Sequence, residues 1–237
     1  MHSLNEFNWY ERILRQTFTV LEPYSSNKAS YFFGFGAETY GAATAEPEKA
    51  HIAERLAGLD LEGGFPFNLE TATPESIGID NLITNYKQAL KQIQFEDKSM
   101  LAPSLLALKK TIKKQEQVYY AVIVMVAGEV CDFEEVKEAI VELSHHPCSI
   151  VVIGVSDTTH EQFDELNAPG ALKDRNNNAC VRKMAQFIRL SDTLDKGDIA
   201  EQALMQLPKQ MCQHLERVSF KPSGINSLQS MIDHSFA

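Results

Sequence analysis

Residues 118–126 read VYYAVIVMV, and residues 148–155 read CSIVVIGV. Val and Ile dominate both stretches, which is typical of strands whose two faces are both covered. The segment between them, residues 133–143 (FEEVKEAIVEL), has the length and the acidic start of a helix. Strand, helix and strand joined by short loops predict a βαβ unit. They therefore predict a parallel sheet with a right-handed crossover and helices on both faces.

Weaker patterns extend this unit in both directions along the chain. A third strand is expected at residues 184–189 (MAQFIR), after the polar loop at 174–178 (DRNNN). The other segments predict, in chain order, a helix at 5–21, a strand at 29–35, a short helix at 47–57, an edge strand at 63–67, a helix from 73 or 74 to 94, a helix at 103–114, and a long helix at 199–217 that Pro208 interrupts. The overall prediction is an α/β fold of three layers, with a doubly wound, mostly parallel sheet between two layers of helices.

The charge of the chain excludes several classes of partner. Its 237 residues include 22 basic and 32 acidic side chains, which gives a formal net charge of −10. An acidic chain repels phosphate backbones and anionic lipid headgroups, so we expect neither nucleic-acid binding nor direct membrane binding. No apolar run approaches the roughly eighteen residues that span a bilayer. Residues 1–10 also lack the basic start of a signal peptide.

The cysteines indicate the cellular compartment. The chain has four of them, scattered without a CxxC pair: Cys131, Cys148, Cys180 and Cys212. Disulfide frameworks and structural zinc sites need closer, patterned spacing. We therefore expect reduced thiols in a cytoplasmic or nuclear protein that is not secreted.

The loops at the carboxyl ends of the strands are where an open parallel sheet binds its ligands. Here these loops follow Val126 and Val155, and a third precedes Pro103. None carries a GxGxxG sequence, a phosphate-binding lysine loop or a GxSxG elbow. The sequence thus predicts no cofactor-binding residues.

One of these loops contains the residue types of a nucleophilic triad, namely Ser156, Asp157 and His160. Neighbours on a single loop seldom reach the mutual geometry that a triad needs. Asp157 or Thr158 is better explained as the cap of a helix at 161–166. We therefore expect no catalytic residues, and the chain is predicted not to be an enzyme.

Longer stretches carry a resemblance to a known family. They read YYAVIVMVAGEVCDFEEVKEAIVELSHHPCSIVVIGVSDTTHEQFDELN at 119–167 and ALKDRNNNACVRKMAQFIRL at 171–190, with NWYE at 8–11, FFGFGA at 32–37, a GID…Y helix at 78–86 and AEQALMQLPKQMCQH at 200–214. Together they resemble the C-terminal von Willebrand factor A-type domain of copines, and the related domain of plant copine-like RING ubiquitin ligases. The resemblance implies one domain over residues 1–217, followed by a tail at 218–237.

The resemblance also implies a metal-ion-dependent adhesion site, which holds Mg²⁺ through hard oxygen ligands. Its ligands come from a DxSxS loop after the first strand, a Thr in a second loop and an Asp in a third. In this chain Ser99 matches the Thr, Ala127 stands where the Asp is expected, and the DxSxS loop has no counterpart. We therefore expect the site to be degenerate, with no Mg²⁺ or Ca²⁺ bound and with Ser99 as its remnant.

In the folds that this chain resembles, the DxSxS loop directly follows the first central strand of the sheet. The sheet is therefore expected to lack this strand. Either two other strands pair directly, or an internal edge stays open. The chain is then a truncated gene product, or a partner chain donates a strand.

These expectations favour a non-enzymatic protein–protein interaction module. We expect its partners, other proteins, to contact the loops around Ser99, Gly128, Asp132 and Asp157. One alternative is a substrate-binding relative of the copine-like ubiquitin ligases without the RING, because a RING needs about eight paired Cys and His ligands. The other alternative is a fragment of a calcium- and phospholipid-linked copine.

Overall fold

The computed structural model of the chain describes residues 2, 6, 8–25, 29–39, 64–71, 73–114, 118–156, 160–193 and 199–220. Its helices are α1 (Trp9–Leu21), α2 (Ile79–Leu90), α3 (Ala102–Lys114), α4 (Phe133–Leu143), α5 (Leu190–Thr193), α6 (Ile199–Leu204) and α7 (Leu207–Arg217). Its strands are β1 (Ala29–Tyr31), β2 (Phe33–Phe35), β3 (Ala37–Thr39), β4 (Gly64–Pro66), β5 (Glu75–Ile77), β6 (Ile93–Phe95), β7 (Tyr120–Val126), β8 (Cys148–Gly154) and β9 (Ala185–Arg189). The helix predicted at 47–57 lies outside the described residues, as does the tail beyond residue 220. No helix within the described ranges is long and apolar enough to cross a membrane.

The parallel sheet has the order β7-β8-β9, and both of its pairings are parallel. Every residue of β8 is buried, which agrees with the Val- and Ile-rich sequence of this strand. Helix α4 connects β7 to β8 along the chain, over the bounds that its sequence predicts. The predicted strand–helix–strand unit, and with it the α/β class, is thus confirmed.

Helices cover both faces of this sheet. One hydrophobic cluster joins α3 and α4 to Ile150 and Val152 of β8. A second cluster joins α1, α2 and α6 to Val151 and Ile153 of the same strand. Because successive side chains of a strand point to opposite faces, β8 is shared by the two cores.

Strand β7 is less buried than its sequence predicts. Ala121 is exposed, and Val122, Ile123 and Met125 are only partly buried, although a strand covered on both faces was expected. The reason is position: within the described residues β7 pairs with β8 alone and is therefore an edge strand. It also begins at Tyr120 rather than at Val118, which is exposed.

The strand predicted at 29–35 is divided into two and continues farther along the chain. β1, β2 and β3 follow one another from Ala29 to Thr39 and pair antiparallel with β5, β4 and β6, respectively. The predicted edge strand at 63–67 is β4. These short pairs lie beside the parallel sheet and share its helix layers, since Phe32 packs in one cluster and Phe35 against the other.

The helix predicted from residue 73 or 74 to 94 is wrong at both ends. Residues 75–77 and 93–95 form β5 and β6, and only Ile79–Leu90 is helical. Gly78, with φ of +79°, lies between β5 and α2 in a backbone conformation that other residues rarely adopt. At the far end the amide of Gln92 donates to the Ala89 carbonyl at 2.8 Å, and the chain then pairs with β3.

Two other helices are shorter than predicted. α1 begins at Trp9 rather than at residue 5, because the side chain of Asn8 accepts a hydrogen bond from the Tyr10 amide at 2.9 Å and caps the helix. The helix predicted at 199–217 is divided into α6 and α7, and Pro208 lies in the first turn of α7. Proline is tolerated at that position because its missing amide has no helical acceptor there.

Candidate functional site

The loops at the carboxyl ends of the strands meet around Ser99. The carbonyl of Ser99 accepts a hydrogen bond from the Cys131 amide at 2.9 Å, which ties the loop before α3 to the loop after β7. Gly36 adds a third segment: a Cβ at this position would lie only 2.5 Å from the Ser99 hydroxyl oxygen. The φ of Gly36 is +69°, so glycine is required there for both space and backbone conformation.

Asp132 is buried at the centre of this region. Its two carboxylate oxygens accept hydrogen bonds from the amides of Leu101 at 3.0 Å and Ala102 at 2.8 Å. These amides open α3, where a negative charge also interacts favourably with the helix dipole. Asp132 thus caps a helix that begins about thirty residues earlier, and its side chain does not cap α4, which it precedes.

The other sequence-predicted positions are distributed around this centre. Ala127 is exposed, and its carbonyl accepts a hydrogen bond from the Ser156 hydroxyl. Gly128 is partly buried. Asp157 lies outside the described residues, and so does the predicted cap by Asp157 or Thr158. The segment that follows is a 3-10 helix, Glu161–Asn167, without a side-chain hydrogen bond at its cap residue.

Ser156 and His160 have different surroundings. His160 is only 2% exposed and packs beneath Gly154, where a Cβ would meet its ring at 3.1 Å. Its ring also contacts Phe187, with the ring centres 5.8 Å apart. The Ser156 hydroxyl is engaged with the Ala127 carbonyl instead.

The acidic side chains of these loops have separate environments. Among the residues that the structure describes, no three His, Cys, Asp or Glu side chains come together as metal ligands. Asp132 is the buried carboxylate of this region, and both of its oxygens are engaged by backbone amides. The nearby Glu129 is exposed.

A surface cavity of about 220 Å³ lies elsewhere on the molecule. Leu172, Met184 and Ala185 line it at the amino end of β9, whereas the loops around Ser99 lie at the carboxyl ends of the strands. The cavity and the sequence-predicted residues are therefore separate features.

Two of the cysteines lie at these features: Cys131 contacts Ser99 in the loop region, and Cys180 lines the cavity. All four carry free thiols, with Cys131 and Cys212 exposed and Cys148 and Cys180 buried. Burial raises the pKa of Cys148 to about 12 and that of Cys180 to about 11. These two thiols are thus neutral and unreactive at physiological pH.

Comparison with known proteins identifies the family of the chain. The sequence model of the Copine family matches residues 1–223. Nicotinic receptor-associated protein 1 of Caenorhabditis elegans is 24% identical over 92% of this chain, and that of Caenorhabditis briggsae is 24% identical over 93%. Copine-C of Dictyostelium discoideum is 23% identical over 90% of this chain. The matched regions cover 34%, 35% and 38% of these relatives, so the chain spans about a third of their length. The match over nearly the whole chain confirms the resemblance drawn from the sequence, and the chain belongs to the copine family.

Proposed function

We propose that this chain is a non-enzymatic protein-interaction domain whose binding surface is formed by the loops around Ser99, Gly128 and Asp132. We further propose that its fold is of the von Willebrand factor A type. An open parallel sheet with helices on both faces supports this assignment. In such sheets the carboxyl ends of the strands are the usual place for a ligand.

The observation that carries the proposal is the role of Asp132. Both of its oxygens accept backbone amides of α3, so this carboxylate holds loops together instead of offering ligands to a cation. Ala127 presents a methyl group where the family resemblance implies a metal-binding Asp. These two observations support a loop surface that recognises another protein rather than a cation.

The metal half of the proposal is tested by titration calorimetry with Mg²⁺, Mn²⁺ and Ca²⁺. We expect no heat of one-site binding at micromolar to millimolar concentrations, because Mg²⁺ gives up its hydration shell only to several well-placed oxygens. The Ala127→Asp variant should behave like the wild type, since a single added carboxylate does not complete the site. Micromolar one-site binding by the wild-type chain would contradict the proposal.

The protein-binding half of the proposal is tested by measuring how strongly variants of the chain bind a candidate partner. Two of the relatives are named for association with the nicotinic receptor, and a nicotinic receptor is therefore one candidate partner for this chain. Ala127→Arg alters an exposed loop position, and Glu216→Arg alters an exposed position of α7. We expect Ala127→Arg to weaken binding at least tenfold, with Glu216→Arg unchanged. Equal binding by both variants would exclude the loops as the interface.

The two alternative functions remain predictions with tests of their own. Autoubiquitination by the chain with E1 and E2 enzymes would favour the ubiquitin-ligase branch and refute a non-enzymatic role. Calcium-dependent cosedimentation with anionic vesicles would favour a phospholipid-linked copine fragment, against the expectation from a net charge of −10.

A further inference from the structure

A group of buried polar side chains lies at the amino ends of the parallel strands, opposite the loops around Ser99. Tyr119 directly precedes β7, Ser149 is the second residue of β8, and Arg182 lies shortly before β9. The Tyr119 and Ser149 hydroxyls are hydrogen-bonded at 2.6 Å. His214 of α7 completes the group, with its ring centre 6.0 Å from that of Tyr119. These four residues are called the amino-end cluster below.

Arg182 carries the permanent charge of this cluster. It is 8% exposed, and its Nη2 donates to the His146 carbonyl at 2.7 Å and to the Cys148 carbonyl. Its other two nitrogens, Nε and Nη1, are buried without a hydrogen-bond partner among the described residues. No carboxylate within those residues forms an ion pair with this guanidinium. A buried charge without a partner of opposite sign is costly.

His214 presents a second unpartnered group. It is 5% exposed, and in the described part of the chain its Nδ1 is likewise buried without a hydrogen-bond partner. The charged neighbours that the described residues supply are basic. Burial lowers the pKa of this imidazole most, and Arg182, Arg217 and His146 lower it further. A carboxylate neighbour would have the opposite effect on the pKa.

The inner face of α7 is polar where it meets the sheet. Gln210 and His214, one turn apart, are its buried residues, and the helix packs against β8. Amphipathic helices normally bury apolar side chains, so hydrophobic packing does not account for this pair. Arg182 and Arg217 also concentrate positive charge here, in a chain whose net charge is −10.

We propose that the amino-end cluster binds one small tetrahedral oxyanion, such as free phosphate or sulfate, through Nη1 of Arg182 and Nδ1 of His214. The anion balances the buried guanidinium and supplies acceptors to nitrogens that have none in the chain. A divalent anion suits the site because two permanent charges, Arg182 and Arg217, lie near the imidazole. Arg182 also lines the surface cavity of about 220 Å³, so the cluster adjoins a space that reaches the surface.

The depth of the site favours a free anion over a phosphate group on a larger molecule. Nη1 of Arg182 and Nδ1 of His214 are both buried, and a phosphate monoester carries an organic group that would displace the residues around them. We therefore expect phosphate and sulfate to bind and phosphoserine to be excluded. The inference goes beyond the proposed interaction function, because the loops around Ser99 lie at the other end of the sheet.

The experiment titrates the full chain with sodium sulfate at constant ionic strength and follows the histidine rings by NMR. Sulfate is the probe because it stays divalent around neutral pH, whereas a phosphate group changes its charge there. We expect one-site binding with a Kd of about 1 mM or tighter, reported by the His214 signals. Phosphate should bind similarly, whereas chloride and phosphoserine should bind about tenfold more weakly or not at all.

Binding should also raise the pKa of His214. The groups that face this imidazole are Tyr119, Arg182, Arg217 and His146, and the three basic ones disfavour its charged form. A bound anion favours the charged form, so the imidazole takes up a proton with the anion. By linkage, sulfate should bind about tenfold more tightly at about pH 5 than at about pH 8.

A matched pair of variants on α7 isolates the site. His214→Phe keeps an aromatic ring beside Tyr119 but removes the imidazole nitrogens, whereas Lys209→Ala removes an exposed positive charge from the same helix. We expect His214→Phe to lose sulfate affinity about tenfold or more with circular dichroism unchanged, and Lys209→Ala to bind like the wild type. If His214→Phe does not fold, the titration of the wild-type chain decides alone.

Four results would overturn the proposal. No response of His214 to about 50 mM sulfate would mean that the cluster takes no anion. An equal response to chloride at the same ionic strength would mean that salt only screens the charges. Undiminished sulfate binding by His214→Phe would place the anion elsewhere on the protein. Equally tight binding of phosphoserine would mean that the site is open, which contradicts the assignment to a free anion.

Discussion

At the scale of single residues, Asp132 organises the loop region. Its carboxylate is 5% exposed and accepts the amides of Leu101 and Ala102, while its carbonyl accepts the Val136 amide at 2.9 Å. One residue thereby joins the beginnings of α3 and α4. The carboxylate at this position therefore has a structural role, because it links the loops to both helices.

Replacing Asp132 by alanine should destabilise the protein by about 2 to 3 kcal/mol, because two backbone amides lose a charged acceptor in a buried setting. Asp132→Asn, which keeps one acceptor oxygen, should lie between this variant and the wild type. Urea unfolding measures both. Glu129→Ala, at an exposed neighbour, serves as the control and should stay within about 0.5 kcal/mol. A stable Asp132→Ala protein would show that the capping bonds contribute little.

At the scale of elements, α1 and α2 are joined through the capping residue of α1. Asn8 caps α1 with its side-chain oxygen and donates from its side-chain nitrogen to the Tyr86 hydroxyl on α2 at 2.9 Å. Both residues are buried, and burial is the main reason that the pKa of Tyr86 is raised to about 12. The cap of one helix thus depends on the position of another.

We expect Asn8→Ala to cost about 2 kcal/mol of stability, since both a helix cap and a buried hydrogen bond are lost. Tyr86→Phe should cost about 1 kcal/mol. The double variant should lose about 1 kcal/mol less stability than the sum of the two single losses, because the two residues contact each other. Urea unfolding of all four proteins measures this cycle. Thr19→Ala, at an exposed position of α1, is the control. Strict additivity of the two single losses would show that the contact between the helices contributes nothing to stability.

At the scale of the whole molecule, β8 contributes side chains to two hydrophobic cores. Alternate residues of this strand enter the cluster of α3 and α4 and the cluster of α1, α2 and α6. A defect in one core therefore weakens the strand on which the other core rests. We infer that both faces unfold together.

Leu143→Ala and Leu82→Ala test this inference, since each residue is fully buried in a different cluster. Each variant should lose about 2 to 5 kcal/mol. Fluorescence of Trp9, the single tryptophan, reports the second cluster, whereas circular dichroism reports all helices. The two signals should change at the same urea concentration in both variants. Separate midpoints in Leu143→Ala would show that the faces unfold independently.

The sequence by itself determined the strand–helix–strand unit and the α/β class, because hydrophobic periodicity and β-branched runs are local properties. It also contained the family resemblance, which is spread over most of the chain. Only the tertiary structure decided that Asp132 caps a helix begun thirty residues earlier and that both ends of the helix predicted from 73 or 74 to 94 pair as strands. It also decided that β7 pairs with β8 alone among the described strands. These features depend on which segments meet in space. Residues distant in the sequence decide which backbone groups are paired, and no local pattern encodes that choice.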